Sequence, residues 1–505
     1  MKIKTIEINN YKAFYKKHSF DIGSKNVFVY GENGSGKSSL YYALKDFFQS
    51  SREDIDFDEL ENIFINKNER GKGYIKVTFN PDKDGNLVDK AYLFSKKKKD
   101  TYSPTDNSIR DAIGLKSFLT YKHLLGIHNI KKGQEIDLFD LLVKGVLKHF
   151  RSTVITGGRE LGELWDNVEF SCKKELDGNK YKMANKKNDV EKAIGSFNKA
   201  FRELFKDSSA DNINKVAQPI LDEFKHGIRF KLFYKETKPN AEFNGYLNNN
   251  VSIKLYYLEK EISEPHLFLN EARLSAIAIS IYLGMVKRHP QLNIKSKILF
   301  LDDIFIGLDI ANRLPLFDIL ENHFSDYQKF ITTYDKPWYE YMKFYLEKNS
   351  SWKTIELYSR RTRKGFEQPV MIYGNDKQSG SHISRFITQA EDYYNQGDNK
   401  AAGVYLRSAF EFILKRYCLS KALPVSFKLS ISDLNTDNFW IAIKDYKNAY
   451  PTRCNLTPAT TSNIESFRKL VLNPLSHHDI NKHEISSEII SAIGVIRTLR
   501  TELNV

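Results

Sequence analysis

The residues best suited to chemistry lie near the start of the chain, in the segment Gly31–Ser38. Its sequence, GENGSGKS, matches the pattern GxxxxGK[ST] in full. It follows an apolar run at Asn26–Tyr30 that predicts a buried strand, and it precedes a predicted helix at Ser38–Phe48. Glycines here let backbone N–H groups turn toward a phosphate, and the helix start presents its positive dipole end. The residues predicted to bind the phosphates of ATP are Asn33, Gly34, Ser35, Gly36, Lys37, Ser38 and Ser39.

A second motif supplies acidic residues. The apolar run Ile298–Leu301 predicts a buried strand, and Asp302 and Asp303 follow it directly. Ser38 and Asp302 are predicted to hold Mg²⁺, with Asp302 acting through water, while Lys37 reaches the β- and γ-phosphates. Asp303 is predicted to polarise the attacking water, so Lys37 and Asp303 are the catalytic candidates. An acidic pair in this position could instead cap the following helix.

Alternating strands and helices follow the first motif and continue beyond the second, which favours an α/β core. A charged, helical stretch at 161–225 interrupts this alternation. The predicted β segments are 74–79, 90–94, 228–234, 251–257, 297–301, 329–333, 354–358 and 370–373, and the predicted helices of the core are 270–286 and 312–323.

This arrangement resembles the SMC/RecF-like branch of the ABC ATPases over roughly residues 1 to 350. The resemblance depends on the opening segment Ile6–Phe14, the phosphate loop, the helical insertion and the block from Asp302 to Asp309. It implies an ATPase head that dimerises with two ATP molecules sandwiched between the heads, with assembly beyond the dimer left open. It also implies a signature segment that contacts the nucleotide of the other subunit. That place holds Asn270, Glu271, Ala272 and Arg273 instead of the usual serine-glycine-glycine form.

Two departures from the family pattern affect the expected mechanism. Asp303 stands where the family usually carries glutamate, although RecF-like proteins also use an aspartate pair, and slow turnover would fit this change. Tyr334 stands where a switch histidine is expected, and its phenol donates a hydrogen bond but does not titrate near neutrality. A glutamine-loop candidate lies within residues 117–125, at Tyr121 and Lys122.

The fold class expected from these features is α/β: an ABC/SMC-type P-loop ATPase head with a short helical hairpin insertion and a C-terminal all-α domain. Each arm of the hairpin is expected to have about 30 residues and a length of about 45 Å. The expected domains are the N-terminal lobe of the head at 1–155, the hairpin at 156–227, the C-terminal lobe at 228–375 and a helical docking domain at 376–505.

The C-terminal region has one further catalytic candidate. Arg468, His477 and His478 lie close together in sequence, and the domain loosely resembles HEPN-like ribonucleases. The spacing from Arg468 to His477 is longer than those enzymes usually have, and Pro474 interrupts a shared helical face. A domain that docks a partner is therefore the expectation here.

Composition sets outer limits on the function. Hydrophobic residues make up 41% of the 505 residues, and the sequence has neither an 18-residue apolar run nor a secretory signal, so we expect no membrane partner. The three cysteines are too scattered for a disulfide framework, which favours the cytoplasm. The net charge of +14 permits DNA or another nucleic acid as a partner, and the run Lys96–Lys99 is either a phosphate-binding segment or a solvated loop.

The short hairpin, the altered signature, Tyr334 and the helical appendage together resemble the compact ATPases of bacterial anti-phage systems, especially Septu and its retron-associated forms. That resemblance implies an ATP-controlled sensor or regulator that holds a partner nuclease, of HNH type in Septu. One alternative is a RecF-like repair ATPase that clamps DNA. Another is an ATPase whose own C-terminal domain is an RNase.

Overall fold

A computed structural model describes residues 1–80, 89–121, 137–173, 180–209, 212–288, 294–346, 349–362, 365–373, 380–395, 397–425, 436–468 and 486–505. The chain divides into two compact units, Met1–Gly374 and Asn375–Val505. Within the described residues the strands are β1 Lys2–Tyr11, β2 Phe14–Asp21, β3 Asn26–Gly31, β4 Tyr74–Asn80, β5 Lys90–Ser95, β6 Phe118–Thr120, β7 Ile228–Lys235, β8 Lys238–Pro239, β9 Tyr246–Leu247, β10 Asn250–Tyr257, β11 Lys260–Ile262, β12 Ile298–Asp302, β13 Gln328–Thr333, β14 Trp352–Arg361 and β15 Glu367–Tyr373.

The α-helices of the same residues include a single-turn helix before the signature segment. They are α1 Lys37–Gln49, α2 Ser108–Gly114, α3 Leu161–Lys173, α4 Lys180–Arg202, α5 Ile213–Asp222, α6 Pro265–Phe268, α7 Glu271–Arg288, α8 Ile310–His323, α9 Lys336–Leu346, α10 Gly380–Asn395, α11 Asn399–Ser420, α12 Thr436–Ala449, α13 Pro458–Phe467 and α14 Ser486–Leu503. Short turns of other helix types occur at Asp58–Leu60, Lys67–Glu69, Leu141–Val146, Glu203–Phe205 and Ile304–Gly307.

A six-stranded sheet forms the centre of the first unit, in the order β15-β14-β3-β13-β12-β6. Its strands are parallel except for β15, which runs antiparallel to β14. Strands β3 and β12 are buried along their whole length, which explains their continuous apolar sequences. Because these strands are parallel, their last residues lie at the same edge of the sheet. These residues are Gly31 of β3, Thr120 of β6, Asp302 of β12 and Thr333 of β13.

The core lies on both faces of this sheet. Alternate side chains of β3 enter different hydrophobic clusters, since successive residues of a strand face opposite sides. Val27 and Val29 pack with α1 and with the antiparallel sheet β2-β1-β4-β5. Phe28 and Tyr30 pack with the cluster that contains α7, α8 and α9. The phosphate loop and the strand that carries the acidic pair are therefore held by a continuous core.

The described helices of the insertion are shorter than the expected 30-residue arms. Helix α3 has 13 residues and α4 has 23, so they span about 20 Å and about 35 Å. Trp165 of α3 and Phe197 of α4 belong to the same core cluster as Leu299 of β12. The antiparallel strands β11-β10-β7 and helix α5 join this cluster, and a Cβ on Gly284 of α7 would lie 2.7 Å from Ala217 of α5. The described part of the insertion thus packs on the head, and this packing removes its apolar side chains from water.

The second unit is helical and has its own core. Trp440, Phe410 and Ile413 are buried at its centre with side chains from α10, α13 and α14. Arg468 pairs with Asp437 and, at 3.3 Å, with Glu465, so it links α12 to the end of α13. His477 and His478 lie outside the described residues.

Candidate functional site

The phosphate loop connects β3 to α1 and adopts a backbone that favours glycine. Gly34 and Gly36 have φ values of +84° and +99°. A Cβ on Gly36 would lie 2.7 Å from Cγ of Pro369, so this glycine also permits a close approach to β15. The Lys37 ammonium folds back over the loop and donates to the carbonyl oxygens of Gly31 at 2.6 Å and Glu32 at 3.2 Å.

The acidic pair lies next to this loop. Ser38 Oγ is 3.4 Å from Asp302 Oδ2, and Lys37 Nζ is 3.8 Å from Asp303 Oδ2. The hydroxyl and the carboxylate are hard oxygen donors of the kind that Mg²⁺ prefers when it also binds phosphate. Two buried atoms at this edge, Ser35 Oγ and Asp303 Oδ1, have no hydrogen-bond partner among the residues that the structure describes. These residues fit a site for a metal and a phosphate group.

Asp303 has an unusual environment. Its backbone is left-handed, with φ of +52°, and its side chain is largely buried. Burial raises the pKa of Asp303 to about 6, since Lys37 only partly offsets the lost solvation and Asp302 adds repulsion. The backbone N–H of Tyr334 donates to the Asp303 carboxylate and favours its charged form. A carboxyl group with a pKa in this range can take up a proton near neutrality.

Thr332 was not singled out by sequence reasoning. Its hydroxyl donates to Asp302 Oδ1 at 2.7 Å and accepts from the backbone N–H of Asp303 at 3.0 Å. The sequence of β13 does not predict these contacts, because a polar residue at the end of a strand is usually solvated. Its neighbour Tyr334, at the position expected for a switch histidine, is 45% exposed.

The predicted signature segment forms the start of α7. The Asn270 side-chain oxygen accepts from the backbone N–H of Arg273 at 3.1 Å, so Asn270 caps this helix. Glu271 is exposed and Ala272 is buried. The Arg273 guanidinium lies 5.3 Å from the ring centroid of Tyr257. These contacts of Asn270 and Arg273 are made within their own region and not with the phosphate loop.

Two neighbouring segments complete this edge of the sheet. In the segment after β12, Asp309 caps α8 by accepting from the backbone N–H of Asn312 at 3.0 Å. Tyr121, of the glutamine-loop candidate, directly follows β6, whose Thr120 is paired with Asp302. Lys122 and the rest of that candidate lie outside the described residues.

A cavity of about 510 Å³ lies between β2 and the segment that leads into β15. Tyr15, His18 and Phe366 line it, and the rings of Tyr15 and Phe366 are in edge contact at 4.9 Å. Phe14, the residue before Tyr15, lies 3.6 Å from the position of a Cβ on Gly36. Sequence reasoning missed these residues, because the cavity forms where β2 and the start of β15 meet.

The lysine run carries less free charge than its sequence indicates. Lys96 pairs with Asp58, Lys98 with Asp100 at 3.0 Å, and Lys99 with Asp54. Each lysine of these pairs thus has an acidic neighbour that competes with a phosphate. The run is a weaker candidate for DNA contact than its composition predicts.

Comparison with known proteins defines the class. The model of the RecF/RecN/SMC N-terminal domain matches residues 2–353, and the chain belongs to this family. This confirms the predicted fold class, an SMC-head-like ABC ATPase of the P-loop type. The domain is accordingly of an ATP-binding type. A search of curated proteins found no match.

Solved structures of SMC heads are similar to this chain at low identity. An Smc head bound to the C-winged helix domain of ScpA has 14% identity and a TM-score of 0.38, covering 74% of this chain and 98% of the other. A Pyrococcus furiosus Smc head with an extended coiled coil, bound to the C-terminal domain of ScpA, has 15% identity and a TM-score of 0.37, covering 77% and 99%. The SMC head of Thermotoga maritima has 12% identity and a TM-score of 0.32, covering 74% and 99%. Among the described residues, no helix is both long and apolar enough to span a membrane.

Proposed function

We propose that this protein binds ATP with Mg²⁺ and hydrolyses it slowly. The observation that carries the proposal is the approach of Ser38 to Asp302 and of Lys37 to Asp303 at one edge of the parallel sheet. The loop amides and Lys37 bind the phosphates, and Ser38 and Asp302 hold Mg²⁺, which neutralises phosphate charge. Asp303 orients the attacking water and accepts its proton. The cavity lined by Tyr15 and Phe366 suits the base of the nucleotide.

The active unit in this proposal is a homodimer of heads with ATP between them. The segment Asn270–Arg273 of one subunit contacts the nucleotide of the other, and Tyr334 lies at the same interface as a hydrogen-bond donor. Their exposed positions support this, since Asn270 and Glu271 face solvent and Tyr334 is 45% exposed. Nucleotide then shifts the heads toward the closed dimer because only the closed form makes the second set of contacts.

The dimer and ATP binding are tested together by measuring mass in solution for the wild type and Lys37→Ala, with and without Mg²⁺ and ATP. We expect ATP to double the mass of the wild type and not that of Lys37→Ala. An Asn270→Ala/Arg273→Ala variant separates binding from closure, because it should bind ATP and stay monomeric. Equal masses in all samples would overturn the dimer, and absence of ATP binding by the wild type would overturn the proposal as a whole.

The biological role that we propose is that of a sensor or regulator in an anti-phage complex, similar to PtuA of Septu and retron-associated Septu systems. The helical unit Asn375–Val505, with its own core, supports a docking role. Its partner would be a nuclease, of HNH type in Septu. The role requires a nuclease gene beside the gene of this chain and co-purification of that nuclease with the chain, with a variant lacking residues 376–505 as the control; absence of either would overturn the role.

A RecF-like DNA clamp is the second candidate, and the net charge of +14 favours it. It predicts DNA binding by the isolated dimer that weakens steeply with salt. The pairing of Lys96, Lys98 and Lys99 with aspartates counts against one of its contact surfaces. A C-terminal RNase has less support, since Arg468 is already paired with Asp437 and Glu465.

A further inference from the structure

Thr332 connects the two acidic residues through a single hydroxyl group. It lies on β13, whose neighbours in the sheet are β12 and β3, and its side chain is 0% exposed. A backbone N–H can only donate, so the 3.0 Å contact with Asp303 N uses a lone pair of Thr332 Oγ1. The one hydroxyl proton is then free to go to Asp302 Oδ1 at 2.7 Å. Both contacts therefore have unambiguous donors.

Each of these two hydrogen bonds constrains one of the acidic residues. Because Asp302 Oδ1 is held by Thr332, the other oxygen, Oδ2, faces Ser38 Oγ at 3.4 Å. Asp303 has a left-handed backbone, which costs a side-chain-bearing residue about 1 kcal/mol or more. The hydrogen bond from its N–H to Thr332 fixes the peptide group that leads into this conformation.

We propose that Thr332 is a positioning residue that orients Asp302 toward Mg²⁺ and Asp303 toward the attacking water. This inference rests on the proposed ATPase function and adds to it a coupling between metal binding and turnover. A partner behind a metal-binding carboxylate typically changes metal affinity or activity by about 10- to 100-fold. One hydroxyl contacts both the Asp302 carboxylate and the Asp303 backbone, so its removal affects both quantities together.

The test compares Thr332→Val, which removes the hydroxyl and keeps the shape, with Thr332→Ser, which keeps the hydroxyl. Thr354→Val is the matched control, because Thr354 is also a 0% exposed threonine and lies on β14 of the same sheet. Two quantities are measured in the full chain. They are kcat for ATP and the Mg²⁺ concentration that gives half-maximal binding of a fluorescent ATP analogue.

We expect Thr332→Val to lower kcat by about tenfold or more and to raise the half-maximal Mg²⁺ concentration by about tenfold. Thr332→Ser should restore both quantities to within about threefold, and Thr354→Val should change neither. If wild-type kcat and Mg²⁺ dependence persist in Thr332→Val, the positioning role is wrong while the ATPase proposal stands. If the wild type binds ATP without turnover, hydrolysis is wrong and the Mg²⁺ titration still decides the role of Thr332. If the wild type binds no ATP, both are overturned.

Discussion

Asp303 combines a left-handed backbone, a buried side chain and a raised pKa. Each of these properties lowers the stability of the fold. Active sites commonly keep such destabilising features because the chemistry needs them. Lys37 compensates only in part, since its ammonium is 3.8 Å from Asp303 and already donates to two carbonyl oxygens. In the proposed mechanism, the same features place an available base beside the phosphate loop.

Replacement of Asp303 by asparagine should therefore stabilise the nucleotide-free protein. The native pKa of about 6 lies above the ordinary value of 3.8, so the folded state binds more protons than the unfolded state between these values. Stability then falls as the pH rises from about 4 to about 6, and the asparagine variant escapes this loss. We expect Asp303→Asn to gain about 1–3 kcal/mol at pH 7.5 and to lose turnover.

Thermal unfolding of the wild type and Asp303→Asn over a range of pH measures this effect. The difference in Tm should be largest above pH 6 and should shrink toward zero near pH 4. A constant difference across that range, or a less stable variant at pH 7.5, would contradict the assigned environment of Asp303.

The connections between elements determine how the phosphate loop is held. Gly34 and Gly36 both have positive φ, so alanine at either position is strained to a similar degree. Gly36 is also crowded, because its Cβ would lie 2.7 Å from Pro369 on β15, whereas no described residue lies within 4 Å of a Cβ on Gly34. The edge strand β15 thus supports the loop from the side.

We expect Gly36→Ala to lower the Tm of the nucleotide-free protein clearly more than Gly34→Ala does. Both variants introduce the same kind of backbone strain, but only the alanine at position 36 collides with Pro369. Differential scanning fluorimetry of both variants makes the comparison. Equal shifts would show that β15 does not confine the loop.

A buried ion pair links the far end of α1 to the beginning of α3. The Arg52 guanidinium donates to Glu160 Oε1 at 2.9 Å, and His149 Nδ1 lies 2.6 Å from Glu160 Oε2. Burial opposes ionisation of Glu160, but hydrogen bonds from His149 and Arg52 hold its pKa at about 2. The helix that begins at the phosphate loop is in this way joined to the helical insertion.

Glu160→Gln should destabilise the first unit by about 3 kcal/mol, since it leaves the Arg52 charge without its partner. Asp166→Asn, a change at an exposed position on α3, which Glu160 directly precedes, is the control and should have little effect. Urea unfolding followed by far-UV circular dichroism gives both values. A loss no larger than that of Asp166→Asn would mean that solvent already screens the pair.

Sequence patterns were informative where the signal is local. The phosphate loop and the acidic pair are short motifs between recognisable elements, and the structure places them at one edge of the sheet. The packing of Trp165 and Phe197 into the core of the head was not predictable from local patterns, because it depends on distant partners such as Leu299. The contact of Thr332 with Asp302 and the pairs Lys96–Asp58 and Lys99–Asp54 were missed for the same reason, as each joins residues at least 30 positions apart.

At the scale of the whole molecule, an ATPase head of the RecF/RecN/SMC type is followed by a helical unit with a separate core. A head that changes state with ATP must pass that change to another molecule. A helical unit with its own core can bind such a partner without altering the residues around the phosphate loop. The proposed regulatory role therefore depends first on whether the head turns over ATP.

Turnover by the head is measured directly by phosphate release under single-turnover conditions, in the wild type, Lys37→Ala and Asp303→Ala with Mg²⁺ and ATP. We expect slow release by the wild type and none above background by either variant. We also expect Asp303→Ala to bind ATP still, because Lys37 and the loop remain. Release by the variants at the wild-type rate, or no release by a wild type that binds ATP, would contradict the assignment of Lys37 and Asp303 as the catalytic pair.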